Sequence, residues 1–496
     1  MTSIEISLVN APLAALGALA PEIVLTVGGL AILILGLIGR SEKAYRPLTG
    51  LGIVTALAAL ILSLTGSGLV GALPQGMLNV DPFTHFFRVL GAGCAALVLV
   101  LALERPSLHN EFPGLLLFAT LGILLTAGGA NLVMVYVGIE LLSITSYILT
   151  GLLREEPRSN EAAIKYFFYG SVASAIMVYG FSFFMGLTGS LDLAGIAAGL
   201  AKPEVQGGLR WVTLPATVLV LAGLGFKVAA VPFHQWSPDA YEGAPTPVTA
   251  FLSVGPKAAG FAAMARVLLV ALGGLHSQWV GLVAALAVAT MTLGNLVALT
   301  QTHMKRLLAY SSIAQAGYML VGLVALRGPD GQLFGDGVAA LLVYLVAYLF
   351  TNLGAFAVVQ AVEDATGSDA IASYGGLVKR APWLAAALVF YFLSLVGIPP
   401  LACFLGKLFI FGAAVRAELY WLAAVGVVNS VISLAYYFKV VRYMFFERDE
   451  GDKPALAVAP NLTVALAVTW AGTLGLVILA TPVLDWAMRS MEMLMH

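Results

Sequence analysis

Long apolar runs, each ended by a charge, a proline or a turn, follow one another along nearly the whole chain. About 20 apolar residues cross a bilayer as a helix. Breaking the pattern at its interruptions predicts fourteen spans, at 21–39, 47–67, 83–103, 113–128, 131–153, 162–187, 211–233, 248–272, 278–301, 306–326, 335–361, 382–415, 418–443 and 460–485. The twelfth is broken internally by Gly397-Ile398-Pro399-Pro400. The seventh runs into VPFHQWSPDAYEGAPTP, a stretch too apolar and aromatic for a plain exterior loop.

The two interrupted spans are five apart, which makes spans 4–8 and 9–13 candidate repeats. Five is odd, so the copies have opposite topology, and paired broken helices in inverted repeats point to a transport pathway. The predicted fold is therefore an all-α membrane protein of about 14 transmembrane helices with helices 7 and 12 broken. It divides into a three-helix segment (1–110), a first repeat (111–274), a second, inverted repeat (275–445) and a C-terminal helix (446–496), all one membrane domain. The loops at 188–210 and 444–459 are too short for a soluble domain.

Composition supports this class. The chain is 60% hydrophobic and 10% charged with 53 glycines, and its mean hydropathy of +0.95 lies far outside the soluble range. A net charge of −1 points to no nucleic acid partner. Cys94 and Cys403 lie in apolar runs and form no CxxC, so no iron–sulfur or haem attachment is suggested. Neither a GxGxxG after a strand nor a Walker sequence is present, so no nucleotide site is expected. No basic residue precedes Arg40, unlike a cleavable signal, so the run Ile23 to Leu37 reads as a retained first span.

Lysine and arginine set the orientation. With the N-terminus outside, the cytoplasmic loops carry Arg40, Lys43, Arg46, Arg105, Arg154, Arg158, Lys305, Arg306, Lys379, Arg380, Arg442, Arg448 and Lys453. The opposite side has only Lys202, Arg210, Arg327, Arg416 and Arg489. This asymmetry of thirteen to five places both termini outside.

Ionisable groups at bilayer depth cost several kcal/mol unless hydrated or paired, and their default reading is functional. Glu140 lies near mid-span in NLVMVYVGIELLSITSY; it is either protonated or paired with a cation, the bland alternative being a helix-packing hydrogen bond. Lys227, Lys257 and Lys407 lie in LVLAGLGFKVAAVPFHQW, FLSVGPKAAGFAAM and GIPPLACFLGKLFIFGA. A buried lysine gives up its proton in a usable range, and a broken helix brings polar backbone and hydration beside it. A static salt bridge is the rival reading. His234 is seven residues past Lys227, two turns along the same face if the helix persists, which suggests a relay. Lys165 is about one turn inside span 6, where snorkelling explains it as well as function does. Lys305 and Arg306 read as positive-inside anchors, and Glu22, His85, Arg88 and Lys439 as span-end residues.

Several stretches together carry a resemblance: VGIELLSITSY, EAAIKYFFYGS, GFKVAAVPFHQWSPDAYEGAPTPVTAFLSVGPKAAG, KRLLAYSSIAQAGYML and GIPPLACFLGKL. Over about residues 80–445 the chain resembles the antiporter-like membrane subunits of respiratory complex I. The resemblance implies fourteen helices in two inverted repeats. It also implies proton-transfer roles for the helix-5 glutamate (Glu140), the helix-7, helix-8 and helix-12 lysines (Lys227, Lys257, Lys407) and the PFH histidine (His234). Flavin mononucleotide, iron–sulfur clusters and quinone are implied to belong to other subunits, with no cofactor in this chain. The implied partners are an antiporter-like neighbour, small membrane subunits and the lipid of a bacterial inner membrane.

The expected function is proton translocation driven by quinone reduction elsewhere, in which separating Glu140 from Lys227 pushes a proton toward Lys257 and Lys407. The alternatives are a subunit of a multi-subunit cation/proton antiporter or membrane-bound hydrogenase, or a non-pumping scaffold. With both termini outside, a reporter that is active only in the cytoplasm should be silent when fused after His496, and activity of that fusion overturns the orientation.

Overall fold

Helix starts in this chain are set by proline and by short polar caps. Pro21, Pro82, Pro113, Pro157, Pro247, Pro382 and Pro460 each stand at a first or second helical position, where proline's missing N–H costs nothing. Asp81 and Asn131 cap their helices by accepting the N–H groups of Thr84 and Val133. The computed structural model describes residues 16–39, 41–66, 71–72, 76–326, 335–446 and 455–495. Arg40, Arg327, Arg448, Lys453 and His496, used above for orientation, lie outside the described residues.

The first six helices are α1 (Ala20–Ile38), α2 (Tyr45–Thr65), α3 (Pro82–Ala102), α4 (Phe112–Gly128), α5 (Leu132–Thr150) and α6 (Pro157–Thr188). Two half-helices follow, α7 (Arg210–Val228) and α8 (Trp236–Gly243), then α9 (Thr246–Ala265), α10 (His276–Ala298), α11 (Met304–Val324) and α12 (Asp336–Thr366). A second pair of half-helices, α13 (Pro382–Val396) and α14 (Ala402–Arg416), precedes α15 (Tyr420–Phe446), α16 (Pro460–Ile478) and α17 (Ala480–Met495). Among the described residues, 12 helices are long and apolar enough to cross a membrane, and α4 and α13 are shorter apolar helices. A two-residue ladder, Gly71–Ala72 against Asn79–Val80, and three isolated antiparallel bridges are the small departures from an all-α chain among the described residues.

Several boundaries differ from expectation. The seventh helix stops at Val228, where Ala229 turns left-handed (φ 58°), rather than at 233. α6 has 32 residues, roughly 48 Å at 1.5 Å per residue, so it outruns the ~30 Å hydrocarbon core. The stretch 188–210 holds a short helix, Leu193–Leu200, and the last predicted span divides into α16 and α17.

The centre is built from α9, α11 and α12, whose apolar windows are 89%, 94% and 89% buried, against 33–39% for α1, α2, α6, α10, α15 and α16. The outer helices turn Leu37, Val54, Phe168 and Val431 outward, the arrangement of a chain whose surroundings are apolar. Small residues let the inner helices close. A Cβ at Gly260 of α9 would stand 3.0 Å from Lys227 Cβ, so the backbones of α7 and α9 meet beside that lysine.

The same clasp occurs twice. α6 ends in Thr188-Gly189-Ser190 and α12 in Thr366-Gly367-Ser368, each glycine left-handed (φ 74° and 69°). In each, the threonine hydroxyl bonds back to the fourth residue before it and to the serine carbonyl. Each chain then pairs antiparallel with the N-cap of another helix, Asp192 with Asn131 of α5 and Ala370 with His303 of α11. Side chains reinforce both pairings, through Asn131 Nδ2 to Asp192 (2.6 Å) and His303 Nδ1 to Asp369 (2.9 Å).

Ion pairs tie the helix ends into two faces. At one, Arg105 pairs with Glu363 and Asp364, Lys305 with Glu363, and Arg306 with Asp239 and Glu242. At the other ends of α3 and α12, Arg266 pairs with Asp81 (2.7 Å), Arg88 with Glu22 (2.7 Å) and Arg416 with Asp336 (2.9 Å). This corrects two expectations. Glu22, Arg88 and His85 stand near helix ends but are buried, with Arg88 reaching across to Glu22 and to the Ala18 carbonyl. Lys305 is likewise buried, donating to the Ala244 carbonyl at 3.1 Å.

Asp81 makes the clearest stability test. Burial raises its pKa, but the Arg266 guanidinium and the Thr84 bonds outweigh this and hold it below the usual carboxylate value. The stabilisation it gives is present above the ordinary carboxylate range and is lost as pH falls through the lowered value. Asp81→Ala leaves Arg266 buried without its partner. It should cost about 3–5 kcal/mol, read as faster thermal inactivation of the purified complex; unchanged inactivation would show the pair to be dispensable.

Candidate functional site in the membrane interior

Three lysines enter the core from different helices, and none meets a carboxylate within 4 Å among the described residues. Lys227, 2% exposed, lies in the last turn of α7 and donates to Ser143 Oγ of α5 at 2.5 Å. Lys257, 1% exposed, leaves α9 and donates to the Ser312 carbonyl of α11 at 2.7 Å. Lys407, 4% exposed, reaches back from α14 to the carbonyls of Leu395 and Val396, at 3.0 and 2.9 Å. Its ammonium also lies 4.3 Å over the Tyr318 ring, a geometry in which the ring's negative face attracts the cation.

The breaks explain why lysines stand here. A helix that stops inside an apolar core leaves its last carbonyls without intrahelical N–H partners, and each must find a donor. At the first break the Ala229 N–H (3.1 Å) and the Trp236 indole N–H (2.9 Å) both take the Phe226 carbonyl. At the second, Lys407 does this work with a charged donor, at the negative end of the α13 dipole. Gly397 closes α13 in the left-handed region (φ 90°), and a Cβ there would stand 3.0 Å from Lys407 Cδ. The two lysines are therefore not equivalent. Lys227 precedes its break and Lys407 follows its own, so Lys407 does not occupy the place that Lys227 has in the first half.

Glu140 is half-buried on α5 and accepts from Ser174 of α6. It forms no direct ion pair with Lys227. Ser143, which holds Lys227, lies one turn further along α5 and donates to the Ile139 carbonyl. Val133, Val137, Ile144 and Ile148 are exposed on the stripe that includes Glu140, so the carboxylate borders an outward apolar surface.

His234 does not share a helical face with Lys227, because α7 has ended at Val228 and the residue lies in the connecting turn. Its Nδ1 is buried without a protein partner, as are the hydroxyls of Ser146, Tyr147 and Tyr166. The Tyr147 ring lies 5.9 Å from Lys227 Nζ, and Tyr166 packs between Tyr147 and Trp236. Buried polar groups of this kind call for water.

Lys165 is 42% exposed and ion-paired to Glu161 (2.6 Å) and Asp239 (3.0 Å). With Arg158, Glu242 and Arg306 these residues line a polar cavity of about 250 Å³. Among the described residues no group of three or more His, Cys, Asp or Glu is placed to hold a metal ion.

Sequence reasoning missed the neutral partners. Ser312 is a junction: its hydroxyl accepts from Tyr348 (2.7 Å) and lies 3.3 Å from the Tyr241 hydroxyl, while its carbonyl holds Lys257. Gln315, one turn on, donates to the Leu395 carbonyl (3.1 Å), which Lys407 shares. Single serines and glutamines in apolar helices give no hydropathy signal. Arg266 could have been found as the lone cation in FAAMARVLLVAL.

The family model described as NADH:quinone oxidoreductase/Mrp antiporter, TM, matches residues 129–433. A protein of Symbiobacterium thermophilum named NADH-quinone oxidoreductase subunit N 2 is 40% identical, over 96% of this chain and 97% of its own length. A chain of respiratory complex I from Thermus thermophilus is 32% identical with a TM-score of 0.77, covering 94% of this chain and 98% of that one. A chain of the Mrp complex from Dietzia sp., 22% identical with a TM-score of 0.81 over 97% of this chain and 98% of that chain, shares the fold.

Proposed function

The chain belongs to the NADH:quinone oxidoreductase/Mrp antiporter family, in its NADH-quinone oxidoreductase subunit N branch, and from that premise we propose that Glu140, Lys227, His234, Lys257 and Lys407 carry protons through it. It is a multi-pass membrane subunit of an oxidoreductase complex. Quinone reduction in other subunits drives the transfer, and flavin, iron–sulfur clusters and quinone reside there. The chain lies in a bacterial inner membrane with both termini on the periplasmic side. The face of Lys305, Arg306 and Lys165 is then cytoplasmic, and the polar cavity beside Lys165 is where protons are taken up.

One observation carries this reading. The core lysines are held by neutral oxygens, whereas the buried arginines Arg266 and Arg88 are paired with Asp81 and Glu22. Arginine keeps its charge and suits a static pair. Lysine gives up its proton readily when buried, and a neutral amine keeps its hydrogen bonds to a hydroxyl or carbonyl. A fixed salt-bridge role would call for the opposite assignment.

Magnitudes are compatible. Moving one charge against 100 mV costs about 2.3 kcal/mol, and a pKa unit is worth about 1.4 kcal/mol. Shifts of about two units on neighbouring groups therefore drive the step, and Glu140, on the helix that also carries Ser143, is placed to supply one. Its position on an outward apolar face supports a second membrane subunit packing there, since an uncovered carboxylate at that depth is costly. The two Thr-Gly-Ser clasps support the division into repeats over 111–274 and 275–445.

In an assembled complex, Glu140→Ala should lower quinone reduction and proton pumping together by at least about tenfold, the scale on which a positioned acid or base acts. Normal activity would remove Glu140 from the pathway. Lys407→Arg keeps the charge but not a releasable proton, so pumping should stay depressed. Full recovery of pumping and electron transfer by arginine would make Lys407 a fixed electrostatic element, and unimpaired turnover with all three lysines replaced would favour a scaffold.

A further inference from the structure

The twin clasps give α5 and α11 a common register. Asn131 and His303 are the two N-caps, and twelve residues beyond each stands a buried polar side chain, Ser143 and Gln315. Ser143 holds Lys227 directly. Gln315 has no lysine against it, since Lys407 follows its break. It holds instead the carbonyl that Lys407 uses.

The geometry around Gln315 leaves it little freedom. The side chain is fully buried, and the Tyr344 hydroxyl of α12 donates to its Oε1. That contact fixes the amide so that Nε2 points at the Leu395 carbonyl, 3.1 Å away. Leu395 is the penultimate residue of α13, so its carbonyl lacks an intrahelical partner and offers both lone pairs, one to Gln315 and one to Lys407. α14 packs tightly on the same tyrosine: a Cβ at Gly406 would stand 2.4 Å from Tyr344 Cδ2.

We propose that Gln315 is a positioning residue for Lys407, holding the Leu395 carbonyl in the break where the ammonium meets it. This rests on the proton-carrying reading of Lys407. When the lysine is neutral and its grip weakens, the amide keeps the carbonyl in place for the next proton. By occupying one lone pair, it also keeps Lys407 from being held too firmly to release. The titratable groups facing Lys407 are Tyr318 from α11, Tyr344 from α12 and Cys403 from its own helix, with Tyr437 of α15 beyond them on Ser311. Among the described residues no carboxylate forms an ion pair with it; Lys407 meets the Leu395 and Val396 carbonyls directly, and the amide acts on it through the first of these.

The test uses the whole complex in inverted membrane vesicles, following electron transfer and proton pumping against pH. Gln315→Glu places a carboxylate where the amide was, and an opposite charge favours the protonated lysine. The alkaline limb of the pumping profile should move up by about one pH unit or more, with slower pumping near neutrality. In a Lys407→Arg background the same substitution should shift nothing, because arginine does not titrate there. Tyr344→Phe, which frees the amide without touching α11, should lower turnover several-fold without that shift, and serves if Gln315→Glu does not assemble. A Gln315→Glu profile that superimposes on the unaltered one overturns the proposal, as does a Tyr344→Phe complex with unchanged turnover. If Lys407→Met itself pumps normally, the proton-carrier reading fails instead; if Lys407→Met is inactive while the Gln315 and Tyr344 variants are unchanged, only this proposal does.

Discussion

A carbonyl left open inside an apolar core is the constraint on which this structure turns. Each uninterrupted helix satisfies its own backbone. α7 and α13 do not, because each stops in the interior. The protein meets the demand in two chemically different ways, with the neutral Trp236 indole at the first break and the Lys407 ammonium at the second. The first leaves Lys227 free to bond a side-chain hydroxyl, Ser143. The second makes a titratable group part of the backbone's own hydrogen bonding. Lys407 is therefore tied to the backbone of its break, whereas Lys227 is bonded to a side chain.

The same constraint orders the rest of the interior. α9, α11 and α12 are the most buried helices, and they also carry the polar side chains that connect the lysines: Ser312 and Gln315 on α11, Tyr344 and Tyr348 on α12. A polar group at that depth persists only with its partners in place. The tight packing of Gly260 on Lys227 and of Gly406 on Tyr344 follows from this. Backbones approach closely so that short side chains can reach their acceptors.

Much of the architecture was legible in the hydropathy pattern, because crossing an apolar layer imposes a minimum length and excludes charge. The Gly397-Ile398-Pro399-Pro400 break and the buried positions of Lys227, Lys257 and Lys407 were visible for that reason. What the pattern hid was local. The helix was expected to persist past Val228, since Ala229 and Ala230 are apolar and carry no stop signal, and so His234 was placed on the wrong face. Arg88 and Glu22 read as end residues because depth along one helix does not reveal what packs over it. The hydroxyl and amide partners were silent, since a lone serine or glutamine barely alters a run of twenty apolar residues.

The choice of cation separates the two kinds of buried charge here, and it bears on direction. Arg266 with Asp81 and Arg88 with Glu22 fasten helix ends near one face, where a permanent charge and its partner form a rigid tie. The lysines lie deeper and meet only neutral acceptors, so their charge state is free to respond to neighbours. A pathway needs both properties. If the ties titrated, the helices would shift with each turnover, and if the lysines were paired, each proton would be held by a local carboxylate and not passed on. Among the described residues no ion pair joins Glu140 to Lys227, although Ser143, which holds the lysine, lies one turn from Glu140 on α5. On the proposed pathway, that spacing leaves the attraction between Glu140 and Lys227 adjustable from the outer face of α5.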